Sequence, residues 1–298
     1  MGQVVPILNR LLRTDGGRLR CGWRLILFAL IMVAVTAVTA VVFPAGFITA
    51  QAALLVGAVF SGVLLLRLDG RPAGALGFYI KRAGISEAFL GLGLGTAIAF
   101  AVVALMVAAG GLSWIAQDGS MFAWFVGSLG ALIFLAVPAA AEEALLRGYP
   151  LQAIAEVWGP WAAILVTSVI FGGLHLFNPN LTFLGTVNIT VAGIFLGVVY
   201  LRTGSLWWAT GAHLGWNWMH GYIADVPVSG LELLDAPVYD GVPLGPEWLG
   251  GGAFGPEGSL LATVVLIVAV VICLRTSALV PSDAAMEAQP LVVMVRNS

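Results

Sequence analysis

The chain has 298 residues, of which 60% are hydrophobic and only 9% charged, with a mean hydropathy of +1.01. A soluble domain carries charge on about a quarter of its residues, so a water-soluble globular protein is excluded and a polytopic helical membrane protein is indicated. The net charge of -2 at pH 7 is uninformative by itself, and no nucleic-acid partner is expected.

A transmembrane helix needs about 20 mostly apolar residues. Runs of that kind predict eight spans, near 25–44, 47–66, 86–110, 121–149, 160–177, 182–201, 205–224 and 258–279. The fold class is therefore all-α, a transmembrane helical bundle. Residues 1–24 read as a basic tail, 25–279 as the membrane domain and 280–298 as a second tail. The Arg-rich start followed by an apolar stretch resembles a signal peptide. The stretch is longer than the 7–15 residues of such a segment, so it is expected to remain as the first span.

The 13 Lys and Arg residues decide the orientation. Arg10, Arg13, Arg18, Arg20 and Arg24 precede the first span, and Arg67, Arg71, Lys81 and Arg82 follow the second. Arg147 ends the fourth, Arg202 ends the sixth, and Arg275 and Arg296 follow the last. With eight spans all of them fall on one side, which the positive-inside rule makes cytoplasmic, with both termini there. Asp118, Asp225, Glu232, Asp235, Asp240, Glu247 and Glu257 fall on the other. Residues 225–257, rich in Gly, Pro and acidic residues, are expected to form a solvated extracytoplasmic loop without evident chemistry. Cys21 and Cys273 have no metal-type spacing, and an unmodified Cys21 is preferred over an acylated one. Gly91, Gly93 and Gly95, and the pair Gly193 and Gly197, permit close helix approach.

Ionisable groups at membrane depth cost roughly 2.5–3.5 kcal/mol each on translocon scales and usually face a cavity. Here they gather in the middle of the chain. Glu142 and Glu143 follow the apolar run 131–137, with Arg147 one turn on. Adjacent residues point about 100° apart on a helix. Arg147, at i+4, pairs with Glu143, which leaves Glu142 free to act as a base. His175 follows Gly172-Gly173 and can activate water together with a carboxylate. His213 and Asn217, at i and i+4, leave one face of the seventh span and can hold an oxyanion. His220 and Asn188 read as structural. If Pro150 ends the fourth helix, Glu142 lies about 10 Å deep, His213 about 12 Å and His175 about 22 Å, which requires a tilted or raised fifth span.

The motifs Glu142-Glu143-Ala144-Leu145-Leu146-Arg147, Phe171-Gly172-Gly173-Leu174-His175 and His213-Leu214-Gly215-Trp216-Asn217 resemble those of the CPBP family. These are the CAAX-processing and bacteriocin-processing proteases, also called the abortive-infection family of intramembrane proteases. The resemblance covers about 121–220, the expected catalytic core. It implies that Glu142 and His175 activate water, that His213 and Asn217 form the oxyanion hole, and that Glu143 and Arg147 support them. Zinc held by Glu142, His175 and His213 is the alternative to a metal-free glutamate mechanism, which Asn217 beside His213 favours. The implied substrate is a lipidated or membrane-associated peptide, cleaved near the cytoplasmic interface of the plasma membrane. Two other classes remain, a catalytically silent immunity or scaffold protein and a transporter using the same polar groups. The chain does not end in a C-a-a-X box, so it is not expected to be prenylated itself.

Overall fold

The computed structural model describes residues 12–14 and 16–291; the outermost parts of both expected tails, with Arg10 and Arg296, lie outside the described residues. The protein is a bundle of apolar helices. Helix α1 spans Cys21–Val42, α2 Phe47–Leu68 and α3 Arg82–Ala108. Helix α4 (Met121–Glu143) runs through a π-helical turn, Ala144–Gly148, into α5 (Tyr149–Trp158). Then come α6 (Pro160–Leu174), α7 (Phe183–Thr203) and α8 (Leu206–Trp218), the last followed by a second π-turn, Met219–Ile223. Short α9 (Glu247–Gly250), apolar α10 (Leu260–Arg275) and short α11 (Asp283–Ala288) are the last α-helices among the described residues. Helices α1, α2, α3, the continuous 121–158 segment and α7 are long and apolar enough to cross a membrane, and α6 and α10 are shorter apolar helices. Large apolar side chains face outward, among them Leu30, Phe89, Phe122, Ile133 and Val169. Such a coat suits lipid and would be costly in water.

The fourth span does not stop at Pro150. Proline lacks an N–H and its ring clashes with the carbonyl four residues back. Here it falls at the start of α5, directly after the wide π-turn, and the helix continues to Trp158. The consequence is geometric. Glu142 lies about 24 Å from the Trp158 end and His175 about 22 Å from Pro160, at 1.5 Å per residue. Since α5 and α6 meet at Gly159, the two residues stand level, and the apparent mismatch in depth disappears.

Close packing positions α8. A Cβ at Gly91 or Gly95 would overlap the carbonyls of Trp208 or Ala212, and one at Gly211 or Gly215 those of Ala88 or Leu92. Glycines on both helices therefore allow α3 and α8 to touch backbone to backbone. Gly193 likewise brings α7 against the Ser168 backbone of α6, and Gly197 makes room for the Ile164 side chain.

The two ends of the bundle differ in chemistry. At one end Arg24 donates to Glu156 Oε2 (2.7 Å), Asp69 Oδ2 (2.8 Å) and Tyr149 Oη (2.7 Å), joining α1, α2 and α5. Arg202 caps the last carbonyls of α10 and donates to Leu279 O. The C-terminal segment is not a free tail up to Leu291. Tyr79 lies against Ser282 and donates to buried Glu87, Arg71 donates to Gln289 O, and Leu291 N donates to Gln152 Oε1 (3.0 Å). At the other end β1 (Leu112–Ala116) pairs antiparallel with β2 (Tyr239–Pro243), Leu112 opposite Pro243. The 225–257 loop is also less solvated than its composition suggests. Val226, Val228, Ser229, Ala236, Phe254 and Glu257 are buried, because the loop folds back over the end of a cavity.

Candidate active site

The cavity has a volume of about 520 Å³ and apolar walls from α2, α4, α6, α7, α8 and α10. Glu142, His175, His213 and Asn217 all line it. Four residues spread over 76 positions in the chain are thus brought to one space. Val228, Ser229, Leu231 and Leu233 of the loop complete the wall. The cavity therefore reaches the end of the bundle opposite the arginines, whereas a site near the basic end was expected.

One residue of helical rotation separates the two carboxylates at the end of α4. Glu143 is fully buried, and its Oε1 accepts from Arg147 Nη1 at 2.9 Å and from His213 Nδ1 at 3.0 Å. Arg147, also fully buried, donates Nη2 to Gly193 O (3.1 Å) and lies 4.6 Å over the Phe171 ring. The close α6–α7 contact at Gly193 is thereby tied to the carboxylate pair. Glu142 keeps 23% of its side chain exposed; its Oε2 has no hydrogen-bond partner in the protein and lies 3.8 Å from His213 Nε2.

Hydrogen-bond chemistry fixes the tautomers. A backbone carbonyl can only accept, so His175 Nδ1, 2.8 Å from Phe171 O, carries a proton, and in the neutral ring Nε2 keeps its lone pair. An ionised carboxylate likewise only accepts, so His213 Nδ1 donates to Glu143. Phe171 sits edge-on to both imidazoles, 4.8 Å from His175 and 5.9 Å from His213. One aromatic ring thus holds both histidines and the guanidinium.

Other polar residues contribute at the loop end. Glu257 accepts from Trp216 Nε1 at 2.8 Å and from the amide and hydroxyl of Ser229, each at 2.6 Å. Asn178 donates to Ser229 O at 2.9 Å. Sequence reading passed over these contacts: Trp216 and Glu257 are 41 positions apart, and no local spacing links them. Asn188 donates to the carbonyls of Glu257 (2.7 Å) and Ser259 (2.8 Å), and His220 stacks edge-on against Trp216.

A zinc shell fits this arrangement poorly. A catalytic zinc needs three ligands about 2.0–2.2 Å from the ion. Among the described residues, the one group of three acidic, His or Cys side chains whose ligand atoms lie within 4.8 Å of one another is Asp225, Asp235 and Asp240, in the loop. Glu142, His175 and His213 do not converge in this way.

The fold is thus a helical membrane bundle with carboxylates, histidines and an asparagine around an internal cavity. Residues 122–219 match the family described as type II CAAX prenyl endopeptidase Rce1-like, consistent with the CPBP resemblance. The chain is also similar to the uncharacterized protein YyaK of Bacillus subtilis (strain 168), with 31% identity over 105 residues, 34% of each chain. It thus spans about a third of the length of that curated relative. No solved structure matches it.

Proposed function

We propose that the protein is an intramembrane endopeptidase of glutamate type, acting on a lipidated or membrane-associated peptide in the plasma membrane. The observation that supports this best is the inequality of the two carboxylates: Glu143 is fully buried and ion-paired with Arg147, and Glu142 lines the cavity with 23% of its side chain exposed. Glu142, assisted by the Nε2 lone pair of His175, takes a proton from water as the water oxygen bonds to the scissile carbonyl carbon. The carbonyl oxygen becomes an oxyanion. His213 Nε2–H and the Asn217 amide donate to it. Because His213 Nδ1–H is committed to Glu143, an Nε2–H donor requires the imidazolium form, whose charge the flanking carboxylates balance. Collapse breaks the C–N bond, and Glu142 returns its proton to the leaving amine. Glu143 and Arg147 hold the geometry. The charge pattern supports an orientation with both termini in the cytoplasm, which places the 225–257 loop outside.

The test uses wild type and Glu142→Gln in lipid vesicles, with a set of farnesylated and unmodified membrane-anchored peptides read by mass spectrometry. Removing a general base typically lowers the rate by about 10²–10⁴; wild-type cleavage with such a loss in the folded variant is expected. Equal product from both proteins removes Glu142 from the reaction. Prior chelator treatment is expected to leave wild-type cleavage intact, and a loss restored by zinc would favour the metal mechanism.

A further inference from the structure

The loop end of the cavity holds a buried carboxylate that the hydrolytic scheme does not use. Glu257 sits in the tight turn Pro256–Gly258 before α10 and is 6% exposed. One of its oxygens accepts from Trp216 Nε1, and the other accepts from both Ser229 N and Ser229 Oγ. Its backbone carbonyl accepts from Asn188 of α7. Burying a carboxylate costs several kcal/mol unless hydrogen bonds satisfy it, and apolar packing alone has no need of one. Trp216 occupies the helical turn between His213 and Asn217, and Glu257, Trp216 and Ser229 all line the cavity with them. Ser229 is held at a φ of +50°, a left-handed conformation unfavourable for serine. The two bonds it donates to Glu257 hold it there.

We propose that Glu257 is a positioning residue for the hydrolysis. Through Trp216 it sets the rotation of α8 and hence the aim of His213 and Asn217, and through Ser229 it seats the 226–233 segment as a cavity wall. The proposal rests on the hydrolytic reading above. Glutamine in its place keeps shape and volume but turns an amide donor toward either the indole N–H or Ser229, so one bond is replaced by a donor–donor contact.

The experiment uses the full-length protein in lipid nanodiscs with the peptide set above. It compares wild type, Glu142→Gln, Glu257→Gln, Glu257→Asp, Trp216→Phe and the double variant Glu257→Gln/Trp216→Phe. The Trp216 indole N–H resonance, identified by its loss in Trp216→Phe, is followed by NMR. Glu257→Gln is expected to lower kcat at least tenfold with KM within about twofold, since oxyanion contacts act in the transition state, and to move the indole resonance upfield. Glu257→Asp is expected to recover part of kcat. Trp216→Phe is expected to reproduce the loss, with little further loss in the double variant. If Glu257→Gln does not fold, Trp216→Phe decides, since it keeps the bonds to Ser229 and an apolar ring. Unchanged kcat in Glu257→Gln, or losses that multiply in the double variant, overturn the positioning role while Glu142-dependent cleavage stands. Absence of Glu142-dependent cleavage overturns the hydrolytic reading and this role with it.

Discussion

The division between Glu142 and Glu143 follows from one residue of helical rotation. A step of about 100° places neighbours on different faces, and the π-turn beyond them lets Arg147 fold back onto Glu143 while Glu142 stays on the cavity. Arg147→Met should leave Glu143 buried without its cation. Breaking a buried ion pair from one side costs about 3–5 kcal/mol, to be read as lost thermal stability in detergent. Adding Glu143→Gln should return part of it, because the unpaired charge is gone. Asn217→Ala should act differently. Losing one oxyanion donor lowers kcat about 10²–10³ with little change in melting, since Asn217 is only half-buried on the cavity wall. The i+4 pairing of Glu143 with Arg147 was legible in the sequence, and the structure shows it at 2.9 Å. The contact between Glu143 and His213 was not, because it joins helices 70 positions apart.

At the level of elements, α8 carries His213 and Asn217, and its place is set by the glycine-lined contact with α3. Gly95→Leu should force the helices apart. Overpacking a tight core costs about 1–3 kcal/mol, and cleavage should fall with it. Gly93→Leu is the control: nothing lies within 4 Å of a Cβ there, so melting and activity should stay near wild type. Small residues at Gly91 and Gly95 announced a close approach, but their partners Gly211 and Gly215 became visible only when the two helices were seen together. The continuation through Pro150 was hidden for another reason. Proline is read as a stop, and only the π-turn before it makes it compatible with a longer helix.

For the whole molecule, the arginine-rich end and the sheet-bearing end define an axis. In a protein with Cys21 and Cys273 replaced by Ser, Glu232→Cys and Ser277→Cys should react with an impermeant maleimide from opposite sides of sealed vesicles. Reaction from one side would remove the proposed orientation. The loop end also carries a pH response. Burial pushes the Asp225 carboxyl above the ordinary range, the amides of Ala236 and Gly241 pull it back, and Asp235 and Asp240 push it up, with a net rise. Its folded form therefore holds the proton more tightly than the unfolded one. The stability it contributes is full below the unfolded pKa and falls as pH rises through the folded value. Hydrogen exchange at Ala236 and Gly241, whose amides donate to Asp225, should accelerate beyond the intrinsic pH trend over that window. Asp225→Asn should flatten the excess.

Composition and pattern by themselves determined that this chain is a helical membrane bundle, and where most of its long apolar helices lie. Both are local properties, fixed by the need to satisfy the backbone within each segment in lipid. They also picked out Glu142, Glu143, Arg147, His175, His213 and Asn217, because polar groups stand out against an apolar background. Only the tertiary structure decided that Glu142 and His175 stand level, that His213 bonds Glu143, and that the 225–257 loop closes the cavity through Glu257 and Ser229. Those contacts join residues distant in the chain through side-chain geometry and close helix approach, and no spacing within one segment encodes them.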